Sequence, residues 1–248
     1  MIVSIHQPNY LPWLGYFRKI AVSDTFVYFD NVQMPGGKSF TSRNAIKGPQ
    51  GQQWLTVPVS GKGKKPIGSV EITDQHWRRK HLRAIEVNYR GTPHFQEIYD
   101  FLEHSLQQHH EFLAEQNIFL IEAICRLLGL DHVRFKRASE MAIEEQGAES
   151  ILPIIRALEA SVYVTGQGAG SMRHLRPDDM KQADVAIKFV SADFSSYPQA
   201  HGDFVENLSI IDAFFNIGLE GARALLLPDP PASVLSNAAL IESHGART

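Results

Sequence analysis

Two short apolar runs near the amino terminus, Met1–Ile5 and Thr25–Phe29, are rich in branched and aromatic side chains and do not alternate with polar ones. Continuous apolar runs of this length are the pattern of parallel strands covered on both faces. Between them, Trp13–Val22 is long enough for a short helix, which Pro12 is suited to start. Leu14, Phe17 and Val22 fall roughly on one side of it, while Arg18 and Ser23 do not. The segment therefore predicts strand, polar loop, helix, strand. A right-handed crossover of that kind presents ligands to the carboxyl ends of its strands.

Trp54–Val59 predicts a further strand, with Gly48–Gly51 as a turn before it and Ser60–Pro66 as a mobile basic loop after it. From Asp74 to Leu130 the spacing becomes helical. Trp77, His81, Ile85 and Tyr89 recur at four-residue intervals, Asp74 is placed to cap this helix, and Gly91-Thr92-Pro93 ends it. Two more helices are predicted over Phe95–His104 and Glu111–Leu128. Alternating structure then returns: a helix over Ala148–Ala160 with Pro153 in its first turn, strands at Val162–Thr165 and Val185–Val190, and a helix over Leu208–Asn216 that puts Ser209, Asp212 and Asn216 on one face. The sum is an α/β fold with a mainly parallel sheet and a helical insertion or subdomain. Residues 1–73 form an amino-terminal α/β segment, 74–147 a helical subdomain covering the site, and 148–227 a carboxyl-terminal α/β segment completing the same core. Residues 228–248 read as a linker, marked by Pro228-Asp229-Pro230-Pro231-Ala232-Ser233, and a flexible tail.

Composition narrows the function classes. A chain of 248 residues, 44% hydrophobic and 21% charged, can bury a full core. Its formal net charge of −3 argues against a nucleic-acid partner, although His76, Arg78, Arg79, Lys80, His81 and Arg83 give one helix a basic flank. The opening MIVSIHQ has neither the basic nor the apolar region of a signal peptide, and no apolar run reaches the roughly 18 residues needed to span a bilayer. The expectation is a cytoplasmic protein with no membrane span. The single Cys125, in the helical run FLIEAICRLLGL, reads as core. His104, His109 and His110 lie in a polar helix or its junction without compact ligand spacing, so neither a metal nor a cofactor is predicted.

Chemistry concentrates between Ile2 and Gln33, where His6, Gln7, Asn9, Tyr10, Trp13, Tyr16, Lys19, Asp24, Asp30 and Gln33 surround the two apolar runs. A lone histidine after a strand is more often a hydrogen-bonded structural residue than a catalyst. Convergent polar groups at a strand end, however, are the usual make-up of a site. His6, Gln7 and Asn9 occupy the first carboxyl end, and Asp30, Asn31 and Gln33 the second. Lys38, Ser39, Arg43 and Asn44 follow, two cations with hydroxyl and amide partners of the kind a phosphate requires. Arg43 and Asn44, bracketed by Phe40 and Ile46, are better candidates than the loop residues Lys62, Lys64 and Lys65, which read as exposed. Further on, Gly166-Gln167-Gly168-Ala169-Gly170-Ser171 follows a strand directly. Its spacing is neither a dinucleotide fingerprint nor a P-loop, but Gly166, Gly168 and Ser171 allow close backbone approach to an anion.

The segments HQPNYLPWLGYFRKI, DTFVYFDNVQ, KSFTSRNAIK, QWLTVPV and NLSIIDAFFNIG resemble the WbqC-like family of bacterial proteins, from residue 1 to about Gly218. The resemblance implies a setting in surface-polysaccharide assembly, especially O-antigen and unusual amino sugars, with transferase roles suggested; it implies no catalytic residues. A first strand ending in a histidine-bearing loop before a helix is also similar to the opening of the HIGH-type nucleotidyltransferases, although the second histidine of that motif is absent from HQPNYLPW.

The expected function is acyl or aminoacyl transfer to a nucleotide-linked amino sugar. In that reading His6 is the general base, Asp30 orients it, Tyr10 and Trp13 contact sugar or base, Arg43 holds phosphate, and Gln7, Asn9, Gln33, Lys38, Asn44, Gly166, Gly168 and Ser171 complete the substrate contacts. The partners are a nucleotide-linked sugar or an activated acyl donor, with self-association left open. The alternatives are a HIGH-like nucleotidyltransferase using Mg²⁺ and a non-enzymatic scaffold that binds glycosylation enzymes.

Overall fold

A computed structural model of the protein describes residues 1–145, 147–168, 171–172, 175–191 and 193–227. The expected linker and tail at 228–248 lie outside them, as do Ala169 and Gly170 of the glycine loop. The two amino-terminal runs form β1 (Ile2–His6) and β2 (Thr25–Tyr28), joined by α1 (Leu14–Ala21). β3 (Arg43–Gly48) and β4 (Gly51–Thr56) pair as an antiparallel ribbon around the expected turn. Three helices follow, α2 (Trp77–Tyr89), α3 (Phe95–Gln107) and α4 (Leu113–Leu127). Then come β5 (Arg134–Arg137), α5 (Ile151–Ala157), β6 (Val162–Gly166), α6 (Pro177–Gln182), β7 (Ala186–Val190) and α7 (Ile210–Leu226).

The main sheet is parallel throughout, in the order β5-β2-β1-β6-β7. β1 is central and the order runs outward from it in both directions, which makes the gap between the carboxyl ends of β1 and β6 the point where the winding reverses. Crevices at such switch points are the usual ligand sites of open α/β sheets. Side-chain alternation divides the core accordingly. Val3, Ile5, Val27, Tyr163, Ile187 and Phe189 pack with Ile151, Ile154 and Ile155 of α5 and Met180 of α6. The opposite face packs with α1, α4 and α7 in a second cluster that takes in Tyr10, Phe17, Phe26, Tyr28, Ile85, Ile121, Cys125 and Phe214. Helices α2–α4 therefore share one core with α1 and the sheet.

α1 is buried on every side, Arg18 and Lys19 included, and is not amphipathic in the way its sequence suggests. Arg18 solves its burial by donating to four carbonyl oxygens. Leu225 and Leu226 at the end of α7 accept at 2.6 and 3.3 Å, and Ser191 and Asp193 after β7 both at 3.0 Å. The cation thus sits on the negative end of the α7 dipole and ties it to the last strand. α7 bends at Gly218, whose φ of 71° only glycine adopts easily and where a Cβ would strike the His94 ring at 2.7 Å. The helical pattern predicted to end at Asn216 stops at this break. Asp74 does accept a hydrogen bond from the His76 amide, at 2.8 Å, just ahead of α2.

Candidate functional site

Register builds the site. On β1, Ser4 and His6 point to the face covered by α1: the Ser23 hydroxyl after α1 donates to Ser4 Oγ at 2.8 Å, and the His6 ring stands edge-on to Tyr16 at 4.8 Å. His6 is in register with Tyr28 on β2, and Tyr28 with Arg137 on β5. On the other side the pairing of β1 with β6 runs from Ile2↔Val162 to Ser4↔Val164 and stops there, two residues before each strand ends at His6 and Gly166. Arg137, Tyr28 and His6 therefore form one row across the carboxyl edge of β5, β2 and β1.

The Arg137–Tyr28 end of the row borders a cleft of about 500 Å³ lined by Tyr28, Glu115, Phe119, Glu122, Phe135 and Arg137, among others, and not by His6. The buried Tyr28 hydroxyl on its wall has no hydrogen-bond partner among the described residues, and neither has the nearby His110 Nε2. Burial raises the Glu122 carboxyl above the usual range, so the cleft offers carboxylate, guanidinium and aromatic surfaces together.

His6 is largely enclosed. Burial first, and the charge of Lys19 second, hold its pKa down to about 3, so the imidazole is neutral at physiological pH. Its Nδ1 lies 3.0 Å from the Gln7 carbonyl, which also accepts from the Tyr16 hydroxyl at 3.0 Å. With Nδ1 protonated toward that carbonyl, Nε2 carries the lone pair. Lys19, one helical turn beyond Tyr16, is 5% exposed and has no hydrogen-bond or ion-pair partner among the described residues. Burial lowers its pKa to about 8.

The other predicted residues divide. Gln7 stays at the edge, where its side-chain oxygen accepts from the Thr41 hydroxyl at 3.3 Å. Asn117 of α4 donates to the carbonyls of Pro8 and Thr41, both at 2.8 Å, and so fastens the β1 loop, with the buried Asn9, to the ribbon loop. Arg43 lies face-on to Trp54 at 4.0 Å with its N–H edges free of partners among the described residues, and exposed Phe40 lies 6.0 Å from the same indole. Lys38, two residues before Phe40, is exposed. The Ser171 amide donates to the Gly168 carbonyl at 2.9 Å.

The remainder are occupied elsewhere. Tyr10 is fully buried, its hydroxyl 2.9 Å from His81 Nδ1 and its ring edge-on to Trp77. Its place is the α2 core and not a ligand surface. His81 thereby leaves the basic flank of α2. The Asp30 carboxylate accepts from both the amide and the hydroxyl of Ser139, at 2.9 and 2.7 Å, and braces the ends of β2 and β5 without a bond to His6. Asn44 donates to the Leu11 carbonyl at 2.6 Å and accepts from the Ala45 amide. Trp13 packs on Phe194 in a separate small cavity, with its indole filling the space that a side chain on Gly15 would need. Gln33 donates to the Gly63 carbonyl across the basic loop.

Tyr28 and Arg137 belong to the site without standing out in the sequence, and Lys19 stood in the polar cluster without a role. The available signals were positional: Tyr28 lies near the end of the second apolar run, and Lys19 falls three residues after Tyr16 in α1. Among the described residues, no group of three His, Cys, Asp or Glu is placed to hold a metal ion, and no helix is long and apolar enough to cross a membrane.

The sequence profile of the WbqC-like protein family matches residues 7–224. An uncharacterized protein of Mycobacterium tuberculosis is 35% identical over 222 residues, a stretch that covers 88% of this chain and 94% of that protein. No solved structure matches the chain.

Proposed function

The chain belongs to the WbqC-like protein family, and from that premise we propose that it is a transferase acting on a nucleotide-linked amino sugar in surface-polysaccharide assembly, by acyl or aminoacyl transfer. The observation that carries the reading is the row of Arg137, Tyr28 and His6 across the carboxyl edge of the sheet, with a cleft of about 500 Å³ at its Arg137–Tyr28 end. His6 is neutral, the form a general base needs, its Nδ1 contact leaves the Nε2 lone pair free, and in this reading Nε2 removes the proton of the acceptor amine or hydroxyl. The cleft, with its stacked Tyr28 and Phe135 rings 5.6 Å apart and its carboxylates, suits a polyhydroxylated sugar. Arg43, Trp54 and Phe40 form a stacking surface with a free cationic edge, which suits the nucleoside diphosphate end.

A second reading, nucleotidyl transfer, is favoured by one observation: a histidine at the end of the central first strand, at the switch point. The two readings differ in product. The protein is incubated with nucleotide sugars and acyl donors, and separately with nucleoside triphosphates, sugar phosphates and Mg²⁺. The expected result is an acylated nucleotide sugar, lost in His6→Ala with an unchanged melting temperature, and no pyrophosphate above background. Release of pyrophosphate that depends on His6 would put the second reading first. Full activity in His6→Ala would remove His6 from the chemistry.

A further inference from the structure

The cleft at the Arg137–Tyr28 end of the row is short of hydrogen-bond donors. Phe119 lies four residues after Glu115 and three before Glu122, so α4 presents two carboxylates and the ring between them as one stripe, and all three line the cleft. Both glutamates are half-buried, and neither makes a hydrogen bond or an ion pair among the described residues. Phe135 and Arg137, alternate residues of β5, line the same cleft, with Arg137 Nε 3.9 Å from a carboxylate oxygen of Glu140. Tyr28 stacks on Phe135 with ring centres 5.6 Å apart. Only 1% of Tyr28 is exposed, yet its hydroxyl has no hydrogen-bond partner among the described residues, and the same holds for His110 Nε2 beside Phe119. Enclosed polar groups without partners are rare in folded proteins and mark the place of a missing one. A hydroxyl oxygen, a ring nitrogen and two carboxylates share one capacity, which is to accept a hydrogen bond.

We propose that this cleft is an ammonium receptor: it holds an amino sugar by its protonated primary amine, between the Glu122 carboxylate and the Tyr28 hydroxyl, and leaves Glu115 and His110 for the sugar hydroxyls. The inference rests on the transferase reading above and names the group by which the cleft selects its sugar. A primary ammonium brings three donors and a positive charge to a place that has acceptors and unpaired carboxylates. The faces of Phe119, Phe135 and Tyr28 attract a cation and offer an apolar surface to the C–H side of a pyranose. The two cations that line the cleft do not supply the missing charge, since Arg137 faces Glu140 and Lys136 is exposed. Two turns of α4 separate Glu115 from Glu122, so one ammonium meets one of them. Glu122 is the enclosed one, as its carboxyl is raised above the ordinary range by burial. A sugar hydroxyl in the same place brings one donor and no charge, and an acetamide brings one donor with added bulk, so both are held less well.

The test is an NMR titration of the full chain at neutral pH with glucosamine, glucose, N-acetylglucosamine and ethanolamine, read on the ring signals of Phe119 and Phe135 and on the carboxyl carbon of Glu122. Glucosamine should bind at least tenfold more tightly than each of the other three, and should move the Glu122 titration downward, as a nearby positive charge does. Glu122→Gln keeps the shape and removes the charge; it should weaken glucosamine at least tenfold and leave glucose unchanged. Tyr28→Phe should also weaken glucosamine and should melt at the parent's temperature or above, because it removes a buried hydroxyl that has no partner among the described residues. Glu206→Gln, at an exposed position ahead of α7, is the control and should bind glucosamine as the parent does. No glucosamine binding by the parent, equal affinity for glucosamine and any of the other three probes, equal glucosamine affinity in Glu122→Gln, or a lower melting temperature for Tyr28→Phe would each overturn the proposal. Amine-selective, Glu122-dependent binding without acylation of any nucleotide sugar would sink the transferase reading alone, while acylation of a nucleotide-linked amino sugar with Glu122-independent glucosamine binding would sink this inference alone.

Discussion

At the scale of single residues, polarity in the sequence located the region of the site but not the use made of each group. His6, Gln7 and Arg43 keep free or exchangeable hydrogen-bonding capacity, whereas Tyr10, Asp30 and Asn44 spend theirs on His81, Ser139 and Leu11. Nothing in a one-dimensional pattern separates a carboxylate that braces two strand ends from one that orients a base, since both are buried and both follow a strand. Arg43 permits a sharp test because its face is taken by Trp54 and its edges are not. Arg43→Lys keeps the charge but loses the planar fork and the stacking. It should weaken a nucleoside diphosphate such as UDP by on the order of 1–3 kcal/mol in calorimetry. Equal affinity in the two proteins would return Arg43 to a structural role at the ribbon.

At the scale of elements, the strands with continuous apolar runs were legible, and those without were not. β1, β2, β6 and β7 appear where branched residues cluster. β5, reading RFKR, is an edge strand whose alternate residues face solvent, so only Phe135 signals it. β3 was missed for a related reason: Arg43, Asn44 and Lys47 look like loop chemistry, yet the pairing with β4 and the enclosure by neighbouring elements bury Asn44 and Lys47. α1 shows the same limit, since Arg18, set off the apolar side in the sequence, is buried, and so is Lys19. Arg18 is the test of how such an element is held. Arg18→Met removes every donor from the ends of α7 and β7 and leaves buried carbonyls unsatisfied. It should cost on the order of 3 kcal/mol or more, read as a lower urea midpoint at unchanged slope. A midpoint equal to the parent's would mean that solvent replaces the arginine without loss.

At the scale of the whole molecule, stability should fall on the acid side because two imidazoles are buried neutral. His6 and His81 have folded-state pKa values held down to about 3 and about 4 from an ordinary 6.5, mainly by burial. Between the folded and unfolded values the unfolded chain binds more protons. Stability therefore rises with pH across that window and is lost as pH falls below about 6.5. For His81 the effect approaches on the order of 3 kcal/mol near its folded value. His81→Gln should flatten the decline in unfolding free energy from neutral to mildly acid pH, and an unchanged decline would show that His81 takes up protons without unfolding the chain. The central position of β1 has a consequence in time. β1 lies between β2, about twenty residues later, and β6, whose Val162 pairs with Ile2. Loop closure over that separation is slow, and no local contact can substitute for it. During synthesis the growing chain must carry a half-covered β1, and a histidine with no opposite wall, until the residues of β6 have been made.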